Sequence, residues 1–135
     1  MTLLDANVLI YYLDETADYH TEVIQRLQQL VDEQEQLITS HHILEEVLFV
    51  LSKYVPDANL EKAIERIGAL PELVLVEPSP HIDFAKRYAA LAERLNMGIN
   101  DALLLQLMRD AGIKQLFSYD KKFINKALAV GISIF

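Results

Sequence analysis

The sequence predicts an α/β fold: a three-layer α/β/α sandwich around a central, mainly parallel five-stranded sheet. Short apolar segments alternate with stretches of helical periodicity along all 135 residues, which indicates helical crossovers between parallel strands. The 52% apolar fraction is typical of a packed globular chain. No repeat or long linker divides the sequence, so we expect a single domain over residues 1–135.

The first part of the chain is predicted to contain two strands and three helices. Residues 2–4 form an apolar strand that ends at Asp5, and a helix begins at Asn7 and reaches Leu13. The next helix is indicated by apolar residues with i, i+4, i+7 and i+8 spacing, which are Val23, Leu27, Leu30 and Val31. Residues 36–39 form the second strand. Ser40 is the expected N-cap of a third helix, which ends before Pro56.

The remaining elements continue the alternation. A helix that carries Leu60, Ala63, Ile64 and Ile67 precedes a third strand at residues 73–76. Ser79 is predicted to cap the next helix, with Pro80 in its first turn and Gly98 after its end. Another helix is expected to open at Asn100 or Asp101 and to end at Gly112. Residues 115–119 form the fourth strand, residues 122–130 a short helix, and residues 132–135 the last strand.

Acidic residues stand where this topology brings them to one edge of the sheet. Ligands of such folds bind beyond the carboxyl ends of the strands. Asp5 follows the first strand, Asp120 follows the fourth, and Glu45 and Glu46 lie in the first turns of the helix after the second. Asp101 begins a helix that we expect at the same edge.

A cluster of carboxylates at one edge indicates a cation site. A single acid at a helix N-terminus is explained by the helix dipole alone, but four converging acids are not. Two carboxylates about 5 Å apart repel by roughly 3 kcal/mol at an effective dielectric constant of about 20. Oxygen ligands in a chain without cysteine suit a hard ion, Mg²⁺ or Mn²⁺. Such an ion assists the hydrolysis of phosphodiesters.

Four segments together resemble one known family. The segments LLDANVLIYYL, TSHHILEEVLFVL, INDALLLQL and LFSYDKKF resemble, in order and spacing, those of PIN-domain ribonucleases, and especially the VapC-type toxins of prokaryotic toxin–antitoxin pairs. The resemblance covers nearly the whole chain. It implies the PIN-like sandwich fold, Mg²⁺- or Mn²⁺-dependent cleavage of single-stranded RNA, a homodimer and a cognate antitoxin protein.

The resemblance also implies roles for individual residues. The catalytic, metal-ligating acids would be Asp5, Glu46, Asp101 and Asp120, with Asn7 and Ser118 as supporting residues and Phe123 as a core anchor. Glu45 would then be a solvated neighbour of Glu46. Lys121, Lys122 and Lys126 follow Asp120 and are candidates for contact with RNA phosphates, although a solvated helix start explains them equally well.

Two positions depart from the family pattern. Ala6 stands where the family usually has Thr or Ser, so one hydroxyl near the expected metal is missing. Ser118 replaces the usual Thr but keeps a hydroxyl group. We therefore expect a change in water placement or substrate fit at Ala6, and a mild effect at Ser118.

The distribution of charge and the length of the apolar runs indicate which partners and which cellular location to expect. The net charge is −8, but residues 1–80 hold 15 acids and 4 bases while residues 81–135 hold 5 acids and 8 bases. The second part could present a basic face to a polyanion, although ordinary scatter of charge explains the difference equally well. No apolar run approaches the ~20 residues that span a bilayer. The N-terminus lacks the pattern of a secretory signal. We expect a cytoplasmic protein without a membrane partner.

Two histidines, three tyrosines and one apolar helix are further candidates for contacts. His41 and His42 are adjacent on a helix and point about 100° apart, so they are not expected to share a metal ion. For Tyr11, Tyr12 and Tyr19, packing or a partner contact is expected over stacking on bases. The helix after Ser40 is apolar nearly all round, so its outer face is expected to join a dimer or an antitoxin helix.

Two alternatives stay open beside the nuclease. A non-catalytic PIN-fold interaction module would keep the fold and lose the chemistry. A phosphoacceptor regulatory domain of the response-regulator kind also clusters acids at strand ends, but it requires paired acids near the first strand, and Asp5 has no acidic neighbour. A dehalogenase-like phosphatase would need D-x-D where this chain has D-A-N.

Overall fold

The computed structural model describes residues 1–135 and contains five strands and seven helices. The strands are β1 (Thr2–Leu4), β2 (Leu37–Thr39), β3 (Leu73–Leu75), β4 (Gln115–Phe117) and β5 (Ser133–Ile134). The helices are α1 (Ala6–Leu13), α2 (His20–Asp32), α3 (His41–Tyr54), α4 (Leu60–Gly68), α5 (Ile82–Leu95), α6 (Ile99–Ala111) and α7 (Lys121–Ala129). Every predicted strand and helix is present, which confirms the expected element order.

The five strands form one parallel sheet in the order β3-β2-β1-β4-β5. Leu3 in the central strand β1 pairs with Ile38 on one side and with Leu116 on the other. The expected mainly parallel sheet is therefore confirmed as wholly parallel. The strand order changes direction between β1 and β4, so the carboxyl ends of these two strands border the crevice where ligands of such folds bind.

Helices cover both faces of the sheet, as the three-layer prediction required. α1 packs against α2, α3 and α4, while α5 packs against α6. Right-handed connections place α1–α4 on one face, because the chain moves outward through β1, β2 and β3, and α5–α7 on the other, because it then returns to β4 and β5. None of the helices combines the length and the apolar character that crossing a membrane requires.

The core lies between the sheet and the two helical layers. It is one cluster of 25 buried apolar residues. Its largest fully buried side chains include Phe117 at the end of β4 and Phe123 in α7. Phe123 is thus a core anchor, as expected, and it fixes the start of α7 against the sheet beside the crevice.

The start of α5 differs from the sequence prediction. The helix begins at Ile82 with His81 as its N-cap, not at Pro80 after Ser79. The Ser79 hydroxyl oxygen accepts a hydrogen bond from the His81 amide, so it closes a short turn before the helix. By residue type Ser79 is a better N-cap than His81, but in the structure it closes a turn that precedes the helix.

Boundaries near the crevice also differ from the prediction. α6 begins at Ile99 with Gly98 as its N-cap, so Asp101 lies within the first turn instead of opening the helix. β4 ends at Phe117 and not at residue 119, because the next backbone amides leave the sheet. The Tyr119 amide donates to Asn7 Oδ1 and the Asp120 amide to Ser118 Oγ. These side-chain partners end the strand where the site begins.

Candidate metal centre

The four predicted acids line one cavity of about 530 Å³ at the carboxyl edge of the sheet. They come from the end of β1, from α3, from the first turn of α6 and from the start of α7: Asp5, Glu46, Asp101 and Asp120. The rest of the lining is Asn7, Ile10, Val50, Gly98, Ile99 and Asn100. Residues distant in sequence therefore meet at the crevice that the strand order predicts.

Asp5 is the most deeply placed of these acids, with 7% of its surface exposed. It is the N-cap of α1, and its Oδ1 accepts the Ala6 amide at 2.8 Å. Its Oδ2 accepts the Ser118 hydroxyl at 2.6 Å and the Asn7 side-chain amide at 3.2 Å. Burial raises the pKa of Asp5 and the negative charge of Asp120 adds to the rise, while these hydrogen bonds oppose it.

Asn7 and Ser118 connect the two turns that border the crevice. Besides contacting Asp5, Asn7 accepts the Tyr119 amide at 3.1 Å, and the Ser118 hydroxyl oxygen accepts the Asp120 amide at 3.0 Å. The side chains of Asn7 and Ser118 are also 3.4 Å apart. These contacts link the turn that carries Asp5 to the turn that carries Asp120.

Glu46 and Glu45 have different positions on α3. Glu46 lines the cavity, and Glu45 is exposed and does not. The pKa of Glu46 is raised, first by burial and then by the negative charges of Asp5 and Asp120, against the lowering effect of His42. The structure thus places in the cavity the glutamate that the resemblance selected.

Asp101 shows most clearly that the carboxylates share one environment. Its pKa is raised from 3.8 to about 6, first by burial and then by the charges of Asp120, Asp5 and Glu46. An isolated aspartate in the first turn of a helix is favoured in its charged form. The opposite shift at Asp101 shows that the neighbouring carboxylates and burial outweigh the helix dipole.

Asp120 has one oxygen engaged and one free. As the N-cap of α7, its Oδ1 accepts the amides of Lys122 and Phe123 at 3.0 and 3.3 Å. Its Oδ2 has no hydrogen-bond partner within the protein. Asp120 is therefore fixed in orientation by the helix that it caps, with a second oxygen available to a ligand.

The donor set fits a hard divalent cation. All four acids offer oxygen atoms, and the raised pKa values of three of them show that added positive charge would be favourable. No three acidic or histidine side chains stand close enough together to ligate one ion in the present arrangement. Joint ligation of one ion by three of these acids would need changes of side-chain rotamer.

The lysines predicted to contact RNA differ in their position relative to the cavities. Lys121 is exposed and lines neither of the cavities at this edge, whereas Lys122 and Lys126 line a second cavity beside the first. His41 does not join His42 in a common site, because its Nδ1 pairs with Glu77 at 2.7 Å.

The tyrosines pack with one another at the end of α1. The rings of Tyr11 and Tyr19 lie 5.4 Å apart, and that of Tyr119 lies 5.5 Å from Tyr11 and 4.6 Å from Tyr19. Tyr12 lies under the Arg66 guanidinium at 5.6 Å. The structure thus shows the packing role that was expected for them. Tyr119, which completes the cluster, was not singled out because nothing in its local sequence marks it.

Sequence reasoning also missed amide side chains at the site. Asn100 lines the acidic cavity beside Asp101, and Asn96 and Asn125 line the second cavity. The sequence indicates Asn100 only as a possible start of a helix. Asn96 follows the end of α5 and Asn125 lies in α7, so their proximity depends on how these helices pack and leaves no signal in the local sequence.

The family model described as PIN domain matches residues 2–128. The chain therefore belongs to the PIN domain family, and this identification agrees with the α/β sandwich and the acid-lined crevice. A comparison with curated proteins found no match to this chain.

Solved structures with the same fold include a toxin and a toxin–antitoxin complex. VapC20 of Mycobacterium tuberculosis, described as a toxin that cleaves the sarcin–ricin loop, has a TM-score of 0.74 and 16% identity over 98% of this chain and 96% of that one. VapBC2 of Rickettsia felis, bound to promoter DNA, has a TM-score of 0.72 and 17% identity over 99% and 96%. A toxin–antitoxin complex of Klebsiella pneumoniae has a TM-score of 0.60 and 21% identity over 92% and 90%. At these identities the likeness concerns the fold.

Proposed function

We propose that this protein is a metal-dependent endoribonuclease that hydrolyses phosphodiester bonds of single-stranded RNA with Mg²⁺ or Mn²⁺. The observation that carries the proposal is the meeting of four carboxylates from four separate elements in one cavity. Such a cluster costs stability unless a cation binds it, as the raised pKa of Asp101 indicates. Membership of the PIN domain family supports the same chemistry.

The proposed roles follow from the position of each side chain. Asp5, Glu46 and Asp101 would hold the ion, and Asp120 would offer the carboxylate oxygen that has no partner in the protein. Asn7 and Ser118 keep Asp5 in place. A bound divalent ion lowers the pKa of water and neutralises charge on the phosphodiester that is cleaved. Ala6 leaves no hydroxyl at its position, and its side chain is buried and lines no part of the acidic cavity.

We further propose that the protein is the toxin of a toxin–antitoxin pair, with a cognate antitoxin and a homodimeric state, and that it acts in the cytoplasm. The fold of VapC20 and of the Rickettsia and Klebsiella complexes supports this. So does the outer face of α3, where Phe49 and Tyr54 are 62% and 66% exposed. Exposed aromatic residues on adjacent turns are typical of a surface that a partner covers.

The direct test is cleavage of end-labelled single-stranded RNA with Mn²⁺ and with chelator. The wild-type protein is compared with Asp5→Asn and Glu46→Gln, and Glu45→Gln is the matched control because this neighbouring glutamate lies outside the cavity. We expect cleavage that requires Mn²⁺, is lost in the first two variants and is retained in the control. Loss of cleavage in Glu45→Gln but not in Glu46→Gln would contradict the assignment.

A non-catalytic PIN-fold module is the second candidate, because no three acids are arranged to ligate one ion without moving. It predicts no cleavage of varied RNAs and no rise in melting temperature with Mn²⁺. A Mn²⁺-dependent rise without cleavage would indicate an intact metal site with a narrow RNA specificity.

The phosphoacceptor alternative loses support from the topology. Response-regulator domains have the strand order 2-1-3-4-5. The observed order is 3-2-1-4-5, so the acids of this chain meet at a different switch point.

A further inference from the structure

We propose that a second cavity beside the acidic one binds the phosphate of the nucleotide next to the scissile bond. The inference rests on the proposed ribonuclease function and assigns a substrate subsite to residues of α7 and of the turn between α5 and α6. The cavity has a volume of about 440 Å³, within the range of small-molecule sites. Its lining residues are Asn96, Met97, Gly98, Asp101, Lys122, Asn125 and Lys126.

The two cavities share a wall. Gly98 and Asp101 line both of them. Neighbouring phosphates of an RNA strand are separated by one ribose, so a strand whose scissile phosphate lies at the acids has its next phosphate close by. A subsite across a shared wall therefore suits a continuous strand, whereas an isolated cavity elsewhere on the surface would not.

The chemistry of the second cavity is opposite to that of the first. Lys122 and Asn125 are exposed, make no side-chain hydrogen bond or ion pair, and lie three residues apart on α7, which brings them to the same side of the helix. Their ammonium and amide groups are donors that phosphate oxygens accept. Lys126 lies one residue further and donates to the Leu95 carbonyl at 2.5 Å, so its charge is fixed beside the cavity.

Charge explains why such a subsite is needed. The chain carries a net charge of −8, and the acidic cavity itself repels a polyanion. Cations that lie directly beside the acids allow the strand to be held there, since phosphate contacts position nucleic acid without reading its sequence. Asp101 on the shared wall opposes this attraction, so a cation in the acidic cavity favours occupation of the second one.

The test uses uridine 5′-monophosphate as the probe and amide chemical shifts as the readout. The labelled full-length protein is titrated to millimolar nucleotide in Mg²⁺ buffer, and uridine serves as the phosphate-free comparison. We expect the amides of Gly98, Lys122 and Asn125 to shift with the nucleotide and far less with uridine. In Lys122→Ala the apparent affinity should fall about tenfold, which corresponds to ~1.4 kcal/mol.

Lys114→Ala is the matched control, because Lys114 is exposed and lies outside both cavities. It should bind the nucleotide like the wild type. Equal shifts with uridine, no shift at these amides, or unchanged affinity in Lys122→Ala would overturn the proposal.

A kinetic experiment separates this inference from the proposed function. With any RNA that the protein cleaves, Lys122→Ala should raise KM several-fold and leave kcat nearly unchanged, because the residue contacts a phosphate away from the reacting atoms. Cleavage with an unchanged KM would refute the subsite and keep the nuclease. Lys122-dependent nucleotide binding without cleavage of any RNA would keep the phosphate-binding cavity and count against the nuclease.

Discussion

Opposing effects act on the carboxyl group of Asp5. Burial raises its pKa, whereas hydrogen bonds from Ser118, the Ala6 amide and Asn7 lower it. Of the three, the Ser118 bond lowers the pKa most, and it comes from the other side of the sheet crevice. Because the same hydroxyl oxygen also accepts the Asp120 amide, Ser118 serves both sides of the site. Its removal should therefore affect stability as well as Asp5.

Ser118→Ala is expected to lower the free energy of unfolding by ~1–3 kcal/mol, since it leaves Asp5 Oδ2 short of a donor and the Asp120 amide without its partner. Urea denaturation at neutral pH measures this. Ser133→Ala, which removes an exposed hydroxyl bound to the Lys114 carbonyl, should cost much less. Equal losses in the two variants would mean that Ser118 has no special structural role.

In the metal-free protein, the contribution of Asp101 to stability is smaller at neutral pH than at acidic pH. Its pKa rises from 3.8 in the unfolded chain to about 6 in the fold, so the folded state holds a proton that the unfolded state has released. Raising the pH through this window removes that proton from the folded state at a cost, and the stability contributed by Asp101 falls. With chelator present, Asp101→Asn should reduce this loss and raise the stability at pH 7 by roughly 1–2 kcal/mol, after allowance for screening.

Asp83→Asn is the control for this prediction, because Asp83 also lies in the first turn of a helix but is exposed and outside the cluster. It should not stabilise the protein. In a melting experiment with Mn²⁺, Asp101→Asn should lose most of the rise in Tm that the wild type shows. An unchanged rise would exclude Asp101 as a ligand.

At the scale of elements, the ends of helices depend on backbone conformation as much as on sequence. Gly112 ends α6 in the left-handed region with φ +70°, which side chains other than glycine adopt at a cost. Gly68 is the last residue of α4 and has no positive φ. A β-carbon at either position would meet no atom within 4 Å. The two glycines therefore differ in backbone conformation and not in available space.

Gly112→Ala should destabilise the protein by about 1 kcal/mol through backbone strain. Gly68→Ala should leave the stability unchanged or raise it by up to ~1 kcal/mol, because alanine favours the helix. Thermal and urea unfolding of both variants measure the difference. The same sign of change in both would show that the left-handed conformation is not what Gly112 supplies.

Helix capping shows which features the local sequence predicts and which it does not. Ser40 caps α3 as predicted, with its hydroxyl oxygen accepting the Ile43 amide at 3.2 Å. Ser79 has an equally good local pattern, but it ends up in the turn before α5. The choice between such alternatives depends on where the helix must start in order to pack on α6, which no local pattern contains.

For the molecule as a whole, we propose the outer face of α3 as the surface of self-association, since Phe49 and Tyr54 are exposed there. Phe49→Glu should convert the proposed homodimer to a monomer at high micromolar protein concentration, as measured by light scattering. The stability of the fold should change little, because Phe49 is 62% exposed and the Lys53 ammonium lies 5.6 Å from the centre of its ring.

Ile82→Glu makes the same kind of change at a residue that is 78% exposed on α5. It should leave the dimer intact. A monomeric wild-type protein, or dissociation caused equally by both variants, would contradict a dimer through α3.

The sequence by itself determined the fold class, the order of the elements and which residues carry the acids. Periodicity and strand composition are local properties, and the rule that parallel strands expose their carboxyl ends at one edge selects Asp5 and Asp120 from local information. The choice of Glu46 over Glu45 came from the family pattern, and the structure places that glutamate in the cavity.

Only the tertiary structure decided how these residues interact. It brought Ser118 to Asp5 across 113 positions of sequence, and it made the strand end at Phe117 by giving the next amides side-chain partners. It also formed the second cavity by packing α7 against the end of α5. Distances, burial and pKa shifts depend on contacts between residues far apart in the chain, so they exist only once the chain has folded.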